Sequence, residues 1–183
     1  NTVDLIEAMY TLDHDYSSLY LPCIELHNFR LSNQQGKGEN QDIVMPGFAV
    51  FRGDKLVGYL DGKMGRGLNW LRNQEKSGVI PVNSQEGSTV SLEIIESKTK
   101  LKPEITDNGL TINVQVRISS NIGEIRSSEN IVTRHTLAYL EAQQEQIIKQ
   151  EIEEVIKYAQ DNQLDFIGAG EAVYRKYPIQ WQD

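Results

Sequence analysis

The feature that most constrains the fold is a long amphipathic segment from about Glu129 to Asn162. Its apolar residues recur every three or four positions, which is the spacing of one helix face, and neither proline nor glycine interrupts it. The apolar stripe consists of Leu137, Leu140, Ile147, Ile148, Ile152, Val155, Ile156 and Ala159. We predict one long helix here, and its apolar face requires a broad partner surface such as a β-sheet.

Two segments with alternating apolar and polar residues predict such a surface. Apolar side chains occupy every second position from Val90 to Ile94 and again from Leu110 to Ile118. Asp107-Asn108-Gly109 lies between these segments and suits a tight turn. The pattern therefore predicts a long hairpin with one face in the core and one face in water.

Two shorter apolar runs upstream predict a second hairpin. Gly47–Phe51 and Leu56–Leu60 are separated by residues 52–55, whose Gly-Asp centre suits a tight turn. The Arg-Gly-Asp triplet in this turn resembles an adhesion motif, but turn geometry accounts for its glycine and aspartate. After the hairpin, Asp61 can cap a helix that carries Trp70.

Two further strands are predicted with irregular features. The segment from Pro22 to Leu31 has a phase slip at His27-Asn28, which is expected of a β-bulge. The segment Val79–Val82 contains Pro81, whose missing N–H favours the edge of a sheet. Cys23, the single cysteine, lies in an apolar run and is expected to be a small buried residue.

Together these elements predict the α+β fold class. One antiparallel β-sheet of about four or more strands, covered by helices that include the long C-terminal one, accounts for every segment. The composition is ordinary for a globular protein, with 39% hydrophobic and 24% charged residues. Because no repeat or low-complexity linker divides the chain, we expect a single domain over residues 1–183.

Composition and motifs argue against several classes of function. The net charge of −8 argues against a nucleic-acid partner. The three histidines have no second histidine or cysteine at ligand spacing, so no metal site is expected. The glycine-rich segment Gly62–Gly67 fails the P-loop spacing because Lys63 precedes the glycines that it would have to follow. No run of residues approaches the ~20 apolar positions of a membrane span.

Four blocks in register, together with Leu21-Pro22, resemble the Ger(x)C family of spore-germination lipoproteins, the C subunits of nutrient germinant receptors. The resemblance covers essentially the whole chain and follows the order of that family's C-terminal domain. One departure is Met64-Gly65, which stands where the family commonly has a Glu-Thr pair. The four blocks are Gly47–Asp61, Arg66–Leu71, Glu96–Pro103 and Gln163–Glu171, the last followed by Arg175–Pro178 and Trp181.

The resemblance implies a non-enzymatic protein with no cofactor. A C subunit of this kind works in a complex with the two membrane-spanning receptor subunits, A and B. It is tethered to the outer face of the spore inner membrane by a lipid-modified cysteine. We expect that cysteine to lie upstream of this chain, so Cys23 does not match it and the present fragment is expected to be soluble.

Three hypotheses for function follow. The first is protein–protein docking in receptor assembly or signalling, the second is a small-molecule module that binds the germinant itself, and the third is an uncharacterised hydrolase. For the first, the candidate interface residues are charges in the matched blocks: Asp61, Arg66, Lys98 and Lys100. Trp181 is expected either to pack down as a latch or to project towards a partner.

Overall fold

A computed structural model describes residues 5–14, 17–29, 40–107, 109–125 and 133–181 of the chain. Within these ranges it has four helices and eight strands. The helices are α1 (Leu5–Leu12), α2 (Gly62–Leu71), α3 (Arg134–Asp161) and α4 (Ala169–Lys176). The strands are β1 (Tyr20–Pro22), β2 (Glu25–Phe29), β3 (Asn40–Val44), β4 (Gly47–Arg52), β5 (Lys55–Asp61), β6 (Gly78–Asn83), β7 (Thr89–Thr106) and β8 (Gly109–Ile125).

The α+β class, the antiparallel pairing and the long C-terminal helix are confirmed, but the described strands form three sheets rather than one. The sheets have the orders β1-β4-β5, β2-β3 and β6-β7-β8. Helix α2 follows β5 directly and packs against β4, β5 and β7. The first and third sheets therefore meet through the side chains of this helix and not through a shared hydrogen-bonded edge.

The two predicted hairpins are confirmed. Strands β4 and β5 pair across the turn at residues 53 and 54, and β7 and β8 form a hairpin whose register runs from Thr106↔Gly109 to Val90↔Ile125. Strand β6 lies at a sheet edge, as its proline predicted. Helix α3 begins after Thr133, whose hydroxyl oxygen accepts a hydrogen bond from the Thr136 N–H at 3.1 Å. Residues 129–132 of the predicted helix lie outside the described residues.

The predicted bulge at His27-Asn28 is wrong. Both residues pair in regular register, with Asp42 and Gln41 respectively. The irregularity lies instead at residues 23 and 24, between β1 and β2, and Cys23 there is half-buried. The apparent phase slip has a simple cause, because Leu26 of β2 is exposed and marks no buried face. Residues 30 and 31 of the predicted strand lie outside the described residues.

The core lies where α2 and α3 meet the first and third sheets. Helix α3 packs on α2 and on β6. Its Gln144, almost fully buried, donates a hydrogen bond to the Ser120 hydroxyl of β8 at 2.8 Å. The largest fully buried side chains are Trp70, Phe166, Leu60, Leu68, Ile80, Leu140, Val50, Val90 and Val155.

Candidate functional site

A buried ion pair joins α2 to α3. Arg66 and Trp70 are four residues apart on α2, so their side chains lie on the same helix face. Glu151, in the middle of α3, is only 2% exposed. The Arg66 Nε donates to the two Glu151 carboxylate oxygens at 3.0 and 2.9 Å, and its Nη2 also donates to Oε1. The Trp70 Nε1 donates to Glu151 Oε2 at 3.0 Å.

These donors compensate the burial of the Glu151 charge. The Arg66 side chain is 29% exposed and the Glu151 side chain 3% exposed, so the guanidinium reaches water while the carboxylate does not. The hydrogen bond to Glu151 raises the pKa of Arg66 above its ordinary value. A carboxylate enclosed in this way holds two helices together and has no free lone pair directed at solvent.

The same contact depends on a glycine. A Cβ atom at Gly67 would lie 2.2 Å from the Glu151 carbonyl oxygen and 3.1 Å from a Val155 methyl group. The two helix backbones can approach this closely only because position 67 has no side chain. The neighbouring Gly65 is less constrained, since its Cβ would come no closer than 3.5 Å to the Leu60 carbonyl oxygen.

A second carboxyl group lies near this ion pair. Glu75 accepts a hydrogen bond from the Asn69 amide at 3.2 Å. Burial raises the pKa of Glu75 most, and the Glu151 charge raises it further, while Asn69 and Arg66 lower it. The balance is a raised pKa, so Glu75 holds its proton more tightly in the folded chain than in the unfolded chain.

The sequence did not single out Glu151, because most carboxylates of α3 fall on its solvated face. A signal was present all the same. Glu151 lies three residues after Ile148 and four before Val155, at the helical spacing of the apolar stripe. A carboxylate in an apolar stripe requires a buried donor, and α2 supplies two.

The structure places the four candidate interface residues in different settings. Asp61 is exposed at the N-cap of α2, as predicted, but its side chain makes no capping hydrogen bond. Arg66 is partly buried in its ion pair, although we expected an exposed charge. Lys98 and Lys100 are exposed on β7, opposite Arg117 and Gln115 of β8. The structure thus brings only the two lysines together on one open face.

Apolar side chains stand exposed on the β2–β3 sheet. Leu26 and Ile43 are cross-strand partners, and they are 66% and 69% exposed. Helix α1 has the same character, since Leu5, Ile6 and Met9 are also exposed. Adjacent exposed apolar residues of this kind are typical of a surface that meets a partner.

An apolar cavity of about 590 Å³ lies between the end of α3, the β7–β8 hairpin and Trp181. Trp181 packs edge-on against Tyr174 with ring centroids 6.4 Å apart, which supports the predicted latch. Asp165, the one carboxylate among the described residues that line the cavity, already accepts hydrogen bonds from the Gly168 and Ala169 N–H groups at 3.0 Å. The cavity therefore offers chiefly apolar contacts.

The described residues contain neither a metal-ligand cluster nor a membrane-spanning helix. Among the described residues, no group of three or more histidine, cysteine, aspartate or glutamate side chains is arranged to hold a metal ion. No helix in these ranges combines the length and hydropathy needed to cross a bilayer.

Comparison with known proteins identifies the family. The family model described as "Spore germination B3/ GerAC like, C-terminal" matches residues 46–183. The chain belongs to this family. The matched range contains both sides of the Arg66–Glu151 contact and the whole β7–β8 hairpin, so the GerAC-like region includes the core described above.

Curated relatives of this GerAC-like chain come from Bacillus subtilis (strain 168). Spore germination protein KC is 30% identical over 156 residues, which cover 83% of this chain and 38% of the relative. Spore germination protein B3 is 24% identical over 153 residues, covering 82% of this chain and 40% of the relative. The chain spans about two fifths of the length of the curated relatives that it matches.

The crystal structure of the GerBC protein has the same fold. It superposes with a TM-score of 0.75 at 21% sequence identity, covering 98% of this chain and 53% of that chain. The likeness extends over α1 and the β2–β3 sheet, which precede the range matched by the GerAC-like family model.

Proposed function

We propose that the chain is the C-terminal domain of the non-enzymatic C subunit of a spore nutrient germinant receptor, folded as one domain over residues 1–183. It acts by protein–protein docking in receptor assembly or signalling. Its partners are the membrane-spanning A and B subunits, and a lipid anchor upstream tethers the protein to the outer face of the spore inner membrane. Membership of the GerAC-like family supports this assignment.

The exposed apolar surface of the β2–β3 sheet carries the proposal. Leu26 and Ile43 form a cross-strand pair that no part of the described chain covers. Folding alone gives no reason to place two large aliphatic side chains in water at adjacent positions, whereas a partner surface would bury them. Burying both side chains against a partner is worth about 3–6 kcal/mol before the cost of association.

The charged groups of the core support a non-enzymatic role. Arg66 and Glu151 are directed at each other and at Trp70, not into an open cleft. Asp61, Lys98 and Lys100 are exposed and stay proposed contact residues. Arg66 contributes in a different way, by holding α2 in place through Glu151.

A germinant-binding module is the second candidate, and the cavity beside Trp181 is the observation that favours it. With Asp165 already occupied, the cavity would bind a small apolar molecule better than a sugar or a nucleoside. Calorimetric titration with common germinants at millimolar concentration distinguishes the two candidates. A saturable heat that Trp181→Ala abolishes would favour the germinant-binding module.

Docking is tested in spores that carry the full-length protein with Leu26→Ser and Ile43→Ser. Both side chains are exposed, so the fold should be retained, and the level of folded protein is checked by thermal unfolding of the domain. We expect loss of co-purified A and B subunits from solubilised spore membranes and slower germination. The matched control is His27→Ser with Asp42→Ser, the neighbouring cross-strand pair on the opposite face of the sheet. The proposal would be contradicted if the A and B subunits co-purify equally well with the Leu26→Ser/Ile43→Ser variant and with the control.

A further inference from the structure

Four cations share the solvent face of the β7–β8 hairpin. Lys98, Lys100 and Lys102 occupy alternate positions of β7, and Arg117 lies directly opposite Lys98 on β8. Alternate residues of a strand point to the same side, so the three lysines form a row about 13 Å long. We call these four residues the basic stripe. Carboxylates on this face of β7 flank the lysines, with Glu93 and Glu96 before Lys98 and Glu104 after Lys102.

The basic stripe is electrostatically unfavourable in the isolated chain. Lys98 and Arg117 are like charges at a directly opposed cross-strand position, which destabilises a sheet. None of the four side chains forms a hydrogen bond or ion pair with another described residue. An anionic partner would relieve this repulsion.

Protection of a sheet edge does not account for the basic stripe. Pairing of β7 with β6 ends at Ile94, which leaves the following part of β7 with a free edge. Other side chains already cover that edge. The Lys76 Nζ donates to the Ser97 carbonyl at 3.2 Å, and the Lys176 Nζ donates to the Pro103 carbonyl at 2.6 Å. The Asn73 Oδ1 accepts from the Thr99 N–H at 2.9 Å.

The composition of this face favours a lipid surface over a protein. Its uncharged members on β8 are small or amide side chains, and no aliphatic or aromatic side chain lies among them. Protein interfaces have apolar or aromatic centres and are depleted in lysine. Lysine ammonium groups act as flexible point charges that suit a diffuse layer of phosphate groups. The uncharged residues are Thr111, Asn113, Gln115 and Ser119.

The opposite face of the β7–β8 hairpin explains why the basic stripe faces away from α3. Val116 and Ile118 of β8 face α3, so α3 covers the side of the hairpin away from the basic stripe. Arg117 is the member of the basic stripe that lines a cavity together with carboxylates of α3, Glu145 and Glu153. A chain of net charge −8 can still present a local basic face on β7, at Lys98, Lys100 and Lys102.

We propose that the basic stripe rests on the surface of an anionic phospholipid bilayer, with α3 directed away from it. The membrane attachment that this orientation presupposes is part of the proposed function, whereas binding of the isolated chain to vesicles does not depend on it. Four cations give weak, reversible attraction that orients a chain already held near a membrane by another attachment.

The test uses the 183-residue chain and sedimented vesicles of equal parts phosphatidylglycerol and phosphatidylcholine, with pure phosphatidylcholine vesicles beside them. We expect binding to the anionic vesicles at about 0.05 M salt and its loss at about 0.5 M salt. The variant Lys98→Gln/Lys100→Gln/Lys102→Gln should bind at least about tenfold more weakly. The matched control is Lys55→Gln/Lys63→Gln/Lys157→Gln, which removes the same charge from exposed lysines elsewhere and should bind like the parent chain.

Three results would overturn the proposal. The first is equal weakening by the two triple variants, which would mean that net charge alone matters. The second is no binding to anionic vesicles at low salt. The third is that the chain binds polyglutamate in preference to vesicles and that Lys98→Gln/Lys100→Gln/Lys102→Gln loses this binding. That result would assign the basic stripe to an acidic protein. Circular dichroism of each variant confirms that the fold is intact.

Discussion

The Trp70 indole nitrogen and the Arg66 Nε donate to the same oxygen, Glu151 Oε2, at 3.0 and 2.9 Å. One carboxylate in the middle of α3 therefore binds two successive turns of α2. Since α2 also packs on β4, β5 and β7, this contact sets the position of the first sheet relative to the third. Substitutions on either helix should reveal how strongly the contact stabilises the fold.

Removal of Arg66 should destabilise the fold more than removal of Glu151. Arg66→Met leaves a carboxylate whose side chain is 3% exposed without its counter-ion, which costs about 3–5 kcal/mol. Glu151→Leu leaves a guanidinium that reaches water, and its main cost is the buried Trp70 N–H left without an acceptor, about 1–3 kcal/mol. The measurement is urea unfolding of both variants at neutral pH.

The double variant Arg66→Met/Glu151→Leu completes the thermodynamic cycle. It should lose less stability than Arg66→Met alone, because no charge is left buried. Strict additivity of the two single losses would mean that the two side chains do not interact in solution.

Gly67→Ala should be strongly destabilising while Gly65→Ala is tolerated. The added methyl group at position 67 would overlap the Glu151 carbonyl oxygen, so the helices must separate, at a cost of about 1–3 kcal/mol or more. At position 65 the methyl group makes ordinary contacts and gains up to about 1 kcal/mol of helix propensity. Thermal unfolding of the two variants gives the comparison, and equal midpoints would contradict the close approach of α2 and α3.

Glu75→Gln should change the pH dependence of stability. The folded chain raises the pKa of Glu75 above 4.5, so the folded state holds the proton more tightly than the unfolded state. Stability from this group is fully present below the unfolded pKa and is lost as pH rises through the folded pKa. Glutamine stays neutral and can still accept from Asn69, so the variant gains stability relative to the parent chain as pH rises above 4.5. The raised pKa of Glu75 would be contradicted if the unfolding free energies of Glu75→Gln and the parent chain differ by the same amount below and well above pH 4.5.

Asp165 should stabilise the start of α4. Its carboxylate accepts from the Gly168 and Ala169 N–H groups at 3.0 Å, which satisfies helix donors that would otherwise lack partners. Asp165→Ala should cost about 1–2 kcal/mol, and Asp165→Asn about half as much because the amide oxygen can still accept. Chemical denaturation measures the free energy of unfolding of both variants. Equal losses would show that the acceptor oxygen at position 165 does not stabilise the start of α4.

Periodicity was enough to predict the elements that carry a strong pattern. The alternation around Val90 and Leu110 predicted the long hairpin. Continued past Ile94, however, it would place Lys98 and Lys100 on the core face with Val90, and the register shift between Ile94 and Glu96 puts them on the solvent face instead. The 3.6-residue pattern predicted α3, because an apolar stripe sustained over many turns is typical of a long amphipathic helix. Antiparallel pairing followed from the short connections within each hairpin.

Features that depend on contacts distant in sequence were not predictable in the same way. The division into three sheets depends on how α2 packs, and no local pattern records that. Arg66 was expected to be exposed because its partner, Glu151, lies 85 residues away. The exposed Leu26 misled the interpretation of β2, since an apolar residue was taken to mark a buried face.

The separation of Arg66 from Glu151 also dictates an order of events on the ribosome. At roughly 5–20 residues per second, synthesis places about 4–17 s between the two residues. The β4–β5 and β7–β8 hairpins are local and can form during that interval, but the carboxylate that anchors α2 does not yet exist. Nascent chains therefore leave the Trp70 N–H without its acceptor, and α2 without the surface of α3, until α3 has been made. A chaperone that binds apolar segments would have its longest opportunity at α2.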